Sequence, residues 1–262
     1  MTQNILNWLT DFTKSLVPTN NEELIVFLIN SAITLLVIRI VSMIVRLSKN
    51  KILGLTTAPF SRTDTSGKKI LILGDSTAVG TGASRPEDTI AGRLAHDFPE
   101  ARIYNKAENG GLVGNLNNQI KELNNETFDF IIVSAGGNDV WHMTRLKKLR
   151  KQLNEIIPQL TKLSDHRVIF LIYNNIGSAP IFPSIIQHFL KKRCHKVQGV
   201  IREVTYEYEV PTINLFSKDR NNPFAKDPDS LFATDGIHPS SEGYRLWYNR
   251  LWRKMSENGY HI

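Results

Sequence analysis

Five positions in this chain carry residue types that together fit acyl-transfer chemistry. Ser76 follows the apolar run Lys69-Ile70-Leu71-Ile72-Leu73 and the turn Gly74-Asp75. A strand that ends this way delivers a hydroxyl to the carboxyl edge of a sheet, where ligands of open α/β folds bind. A serine hydroxyl is a poor nucleophile until a base takes its proton. Asp235-Gly236-Ile237-His238 supplies an imidazole for that step and, three residues earlier, a carboxylate to fix its tautomer. Of the seven histidines, His238 has the best context. His166 has an adjacent acid, Asp165, but precedes an apolar run and so belongs at the opposite edge. His142, beside Trp141, has no acid poised behind it and is expected to line the site or face solvent.

The oxyanion of a tetrahedral intermediate needs hydrogen-bond donors aimed at it. Asn109-Gly110-Gly111 and Gly136-Gly137-Asn138-Asp139 both occupy loop positions after apolar runs. The expected donors are the N–H of Ser76, the N–H of Gly110 and the side-chain amide of Asn138. Trp141 and Asn174 are expected at the substrate rim, the latter opening the longest connection, Asn174 to Pro183. Asp75 and Asp139 read as loop-tethering acids, since no further acid or histidine stands at ligand spacing from them. No metal site and no cofactor are expected.

Positioning these groups takes a sheet. Five short apolar runs, 69–73, 102–106, 129–134, 167–173 and 211–215, read as buried parallel strands. Between them, residues 144–163 and 184–208 show one-faced helical spacing. A last helix begins after Pro239, with Ser240 or Ser241 as N-cap. Strands alternating with helices imply a three-layer α/β fold with right-handed crossovers.

Taken together, these motifs resemble the SGNH, or GDSL-type, hydrolases over about residues 68–255. Gly74-Asp75-Ser76 matches the first block and implies Ser76 as nucleophile. The second block's glycine matches Gly110, with Gly111 an adjacent competitor. Gly136-Gly137-Asn138-Asp139 matches the third block, and Asp235-Gly236-Ile237-His238 the last. The resemblance implies a flavodoxin-like sheet, metal-free catalysis and an ester substrate. Position 78 is Ala, which excludes the Gly-x-Ser-x-Gly elbow, and Arg85 breaks any dinucleotide fingerprint begun by Gly80-Thr81-Gly82.

Ahead of this domain, Leu24 to Val45 is almost wholly apolar, the length a bilayer-spanning helix needs. Arg39 lies toward one end, within snorkelling reach of the interface. Glu22 and Glu23 before the run, and no small-residue cleavage site after it, fit a signal peptide poorly. A helix packed on the catalytic domain, or lying at the membrane surface, is the alternative. Arg46, Lys49 and Lys51 follow the span and put the catalytic domain on the cytoplasmic side. Residues 5–17 have amphipathic spacing suited to the interface. The domain plan is therefore an anchor over 1–55, a linker over 56–67 and a hydrolase domain over 68–262.

The net charge of +7 is spread along 262 residues, so no nucleic-acid partner is expected. Cys194 is the single cysteine, which excludes an internal disulfide. The chain reads as a serine hydrolase of small or lipid-like esters. An acyltransferase with the same triad and a non-catalytic membrane-tethered binding domain are the alternatives.

Overall fold

A computed structural model of the chain describes residue 18 and residues 20–124, 126–164, 167–172, 176–215 and 222–259. Residues 5–17, expected at the interface, and Asp165, His166 and Asn174 lie outside the described residues. Contacts divide the chain into two compact units, Met1–Val45 and Arg46–Ile262.

In the first unit the described residues belong chiefly to helix α1, Asn21–Thr56, which opens with Glu22 and Glu23 in its first turn and whose stretch Arg46–Thr56 belongs to the second unit. Acidic side chains there complement the positive end of the helix dipole. At 1.5 Å per residue its 36 residues run about 54 Å. Its apolar side chains between Leu24 and Val45 are exposed, apart from the half-buried Met43. By length and composition, α1 is long and apolar enough to cross a membrane.

The second unit is built on a five-stranded sheet in the order β2-β1-β3-β4-β5, parallel throughout. The strands are β1 (Lys69–Gly74), β2 (Arg102–Asn105), β3 (Phe130–Ser134), β4 (Val168–Ile172) and β5 (Thr212–Asn214). Every residue of β3 and β4 is buried, as expected of strands covered on both faces. Edge strand β2 instead alternates buried and half-buried positions.

Helices α3 (Ile90–Asp97) and α10 (Ser241–Glu257) pack on each other. Helices α4 (Leu116–Lys121), α6 (Leu146–Leu163) and α7 (Ser184–Glu207) form a separate packed group. In α6 the residues Leu149, Leu153, Ile156, Ile157 and Leu160 are fully buried while Lys147, Lys148 and Lys151 face solvent. Pro158 inside α6 cannot donate to the carbonyl of Asn154, which accepts from the Tyr208 hydroxyl instead, at 3.4 Å. Ser240 caps α10 by accepting from Gly243 N–H, 3.2 Å away. Short helices α2 (Ser76–Val79), α5 (Gly137–Trp141), α8 (Pro223–Lys226) and α9 (Pro228–Leu231) complete the α-helices among the described residues.

The segment expected as a linker is tied to the domain. Arg62 forms an antiparallel bridge with Ile103 of β2, and its guanidinium donates to the carbonyls of Ala95, Phe98 and Ala101. The Ser61 hydroxyl oxygen accepts from Asn105 N–H at 3.1 Å.

With β2 on one side of β1 and β3 on the other, the winding reverses at the carboxyl ends of β1 and β3. In a sheet of this order ligands bind at that switch point. Ser76 lies just past β1 and Asn138 just past β3.

Candidate active site

The end of β1 is locked before Ser76 begins. Gly74 has φ +143, and a Cβ there would stand 1.9 Å from the Ser134 carbonyl oxygen, so only glycine fits. Its N–H donates to Gln119 Oε1 (2.9 Å) while Gln119 Nε2 donates back to its carbonyl (2.8 Å). Asp75 then caps α2, accepting from Thr77 N–H at 2.9 Å and from the Thr77 hydroxyl at 2.7 Å. Ser76 is thereby fixed as the first residue of α2.

From the other end of the sequence, a tight turn presents Asp235 and His238. Ala233 N–H bonds the His238 carbonyl (2.8 Å), and Gly236 N–H bonds the Ala233 carbonyl (2.9 Å). Asp235 is fully buried; its Oδ1 accepts from Ile237 N–H (3.0 Å) and His238 N–H (3.1 Å), and its Oδ2 lies 2.6 Å from His238 Nδ1. His238 Nε2 lies 2.8 Å from Ser76 Oγ. A carboxylate only accepts, so Nδ1 carries the proton and Nε2 is left to accept from the serine hydroxyl. Gly82 permits this approach: a Cβ there would meet His238 Cβ at 2.8 Å and the Pro239 carbonyl oxygen at 2.5 Å. The buried Tyr244 hydroxyl holds the same stretch by donating to the Thr81 carbonyl at 2.9 Å.

The acids at the site differ in environment. Burial works to raise the Asp235 pKa, but the His238 ring bond, its charge and the two backbone donors outweigh it and hold the carboxyl below its ordinary value. For Asp75 burial wins over the two Thr77 bonds and raises the pKa. Asp139, fully buried, accepts from Val113 N–H at 2.9 Å and so tethers the loop after β2. Cys194 is buried, and burial pushes its thiol up to about 11, away from nucleophilic use.

Ser76, Gly110 and Asn138, which carry the three expected donor groups, line one cavity. Gly111 N–H is occupied by the Glu108 carbonyl at 3.1 Å. The backbone N–H groups of Ser76 and Gly110 have no hydrogen-bond partner among the described residues, and both residues line the same cavity. Asn138 also lines it; one Nδ2 hydrogen goes to the Gly111 carbonyl (3.0 Å), leaving the second for a ligand.

That cavity, about 350 Å³, is at the lower end of the range for small-molecule sites. Ile176, Phe224, Phe232, Ile237 and Trp247 give it an apolar wall. Lys51, Gly54 and Leu55, the last turns of α1, contribute to its lining. Sequence reasoning missed these residues, because the aromatic positions look like ordinary core and nothing in α1 pairs it with a loop. Trp141 is not among the lining residues: it is half-exposed and stacks on Phe182 at 5.2 Å. His142 is exposed at the end of α5. Among the described residues, no group of three His, Cys, Asp or Glu side chains is placed to hold a metal.

Residues 72–246 match the model of the GDSL-like lipase/acylhydrolase family. A search of curated protein sequences gave no match. Among solved structures, the chain is similar to a lipolytic protein of the G-D-S-L family from Veillonella parvula, with TM-score 0.58 and 17% identity over 71% of this chain and 97% of that one. It is also similar to a lipase/acylhydrolase from Enterococcus faecalis, with TM-score 0.54 and 22% identity over 73% and 97% of the two chains. A third similar structure is an acetyl xylan esterase, with TM-score 0.55 and 16% identity over 71% and 98%.

Proposed function

The chain belongs to the GDSL-like lipase/acylhydrolase family of ester-hydrolysing enzymes, and we propose that it cleaves a lipid-like carboxylic ester through Ser76, His238 and Asp235. The observation that carries this reading is the unbroken relay from Asp235 Oδ2 to His238 Nδ1 (2.6 Å) and from His238 Nε2 to Ser76 Oγ (2.8 Å), whose last two members line the cavity with its apolar wall.

Ser76 Oγ attacks the acyl carbon as His238 Nε2 takes its proton, and Asp235 stabilises the imidazolium that forms. The carbonyl oxygen becomes an oxyanion held by the N–H groups of Ser76 and Gly110 and the free Nδ2 hydrogen of Asn138. His238 returns its proton to the leaving alkoxide as the tetrahedral species collapses to a Ser76 acyl ester and free alcohol. Water, deprotonated by His238, then attacks the acyl carbon and releases the carboxylic acid with Oγ reprotonated. Geometry of this kind supplies preorganised donors where charge develops.

In this reading α1 anchors the enzyme in a bilayer, so the full chain stays with membranes through salt and alkaline washes. Fluorophosphonate labelling of Ser76, together with hydrolysis of an acyl-ester panel, tests the chemistry. Ser76→Ala and His238→Ala lower turnover toward the roughly 10³–10⁴-fold residual acceleration over water that enzymes of this type keep without a triad member. Folded wild-type protein that neither labels nor hydrolyses would overturn the reading.

A further inference from the structure

The last turns of α1 lie outside residues 72–246, yet Lys51, Gly54 and Leu55 line the catalytic cavity. A bond network fixes them there. A helix ends with carbonyls that have no partner within the helix. Asn109 supplies a missing donor, its Nδ2 reaching the carbonyl of Gly54 in the last turn (2.8 Å) and that of Thr57 just beyond the helix (3.2 Å). Its Oδ1 accepts from the Thr81 hydroxyl at 2.6 Å, which ties the clasp to the turn after α2. Asn109 is also the residue immediately before Gly110. One side chain therefore sets both the end of α1 and the start of the oxyanion loop.

Leu55 is 78% exposed although it lines the cavity, so it forms a lip with apolar surface still to be covered. Phe224, Phe232 and Trp247, all buried, line the same cavity. An acyl chain leaving the ester carbon along that wall would cover Leu55, gaining by removal of apolar surface from water.

Resting on the hydrolase reading above, we propose that Leu55 is a specificity-determining residue that selects esters with long acyl chains. Asn109 is the positioning residue that holds Leu55 at the cavity. The substrate class is thus an acyl ester whose chain extends beyond the catalytic pocket onto the carboxyl end of the membrane-anchor helix.

The experiment compares kcat/KM for p-nitrophenyl decanoate and p-nitrophenyl acetate, using the full chain in non-ionic detergent. In Leu55→Ala the decanoate-to-acetate ratio falls about tenfold, the effect of losing one or two methylenes' worth of contact. Asn109→Asp keeps the acceptor for Thr81 but removes the donor to the Gly54 and Thr57 carbonyls, and the ratio falls similarly. A general loss of folded enzyme lowers both rates and leaves the ratio alone. Ile52→Ala, an exposed change on α1 outside the cavity lining, leaves the ratio unchanged. An unchanged ratio in Leu55→Ala or in Asn109→Asp overturns the inference, while fluorophosphonate labelling of Ser76 in the same samples keeps the hydrolase reading standing. Wild-type protein that neither labels nor turns over either ester overturns both.

Discussion

Replacing Asp235 with Asn separates the electrical role of this residue from its structural one. Asp235 Oδ1 accepts two backbone N–H bonds, from Ile237 and His238, and Oδ2 faces His238 Nδ1 at 2.6 Å. An Asn in the same rotamer keeps its carbonyl oxygen on the two N–H groups, so the turn stays closed. Asp235→Ala would instead strand those donors at about 1–3 kcal/mol per buried group, mixing unfolding with catalysis. In Asp235→Asn the NH₂ group replaces Oδ2 and donates toward Nδ1. The imidazole proton then moves to Nε2, and the nitrogen 2.8 Å from Ser76 Oγ can no longer accept. A wrong tautomer of this kind costs about 10⁴ in kcat in a serine protease triad. At 1.36 kcal/mol per decade that is about 5.5 kcal/mol of transition-state stabilisation. The assay is initial-rate hydrolysis of a short-chain chromogenic ester at neutral pH, with the rate of fluorophosphonate labelling as a second readout. Both fall about 10⁴-fold, and circular dichroism spectra remain those of the wild type. A well-folded variant within tenfold of wild-type kcat would show that Asp235 does not set the His238 tautomer, and the relay would have to be rebuilt around another base.

Two further outcomes follow from the same geometry. Asn138→Ala removes one oxyanion donor and frees the Gly111 carbonyl, lowering kcat about 10²–10³-fold with a much smaller change in KM; a loss confined to KM would assign Asn138 to ground-state binding. Asp75, whose pKa burial raises, holds its proton more tightly folded than unfolded. Its contribution to stability is complete below its ordinary value of 3.8 and is lost as pH rises through the folded value. Asp75→Asn removes that titration, so its denaturation midpoint relative to wild type climbs as pH is raised from about 4 and then levels off; a difference that shrinks with rising pH contradicts the argument.

The parallel sheet was legible because its strands are buried on both faces and read as unbroken apolar runs, with ends shifted by a residue or so. Run 129–134 became Phe130–Ser134, and 211–215 became Thr212–Asn214. The turn holding Asp235 and His238 was legible for a different reason: acid, glycine and imidazole stand within four consecutive positions. What escaped were pairings across long sequence separation. Asn109 gave no sign that its amide would reach α1, 55 residues away at Gly54. Trp141, at the carboxyl edge and expected at the rim, found a stacking partner in Phe182, a choice made by packing that no local pattern encodes. Phe224, Phe232 and Trp247 sit where apolar periodicity predicts core, and they are core; one face of that core happens to border the cavity.

The bridge at Arg62 bears on how the molecule behaves in a crowded solution. An outermost strand with free amides is a template onto which another chain can add itself. On β2, the Ile103 N–H is claimed by the Arg62 carbonyl and the Asn105 N–H by Ser61. The residues ahead of the sheet thus close the flank at which a stranger's strand would otherwise dock, and removing them to shorten the protein would open it to sideways polymerisation.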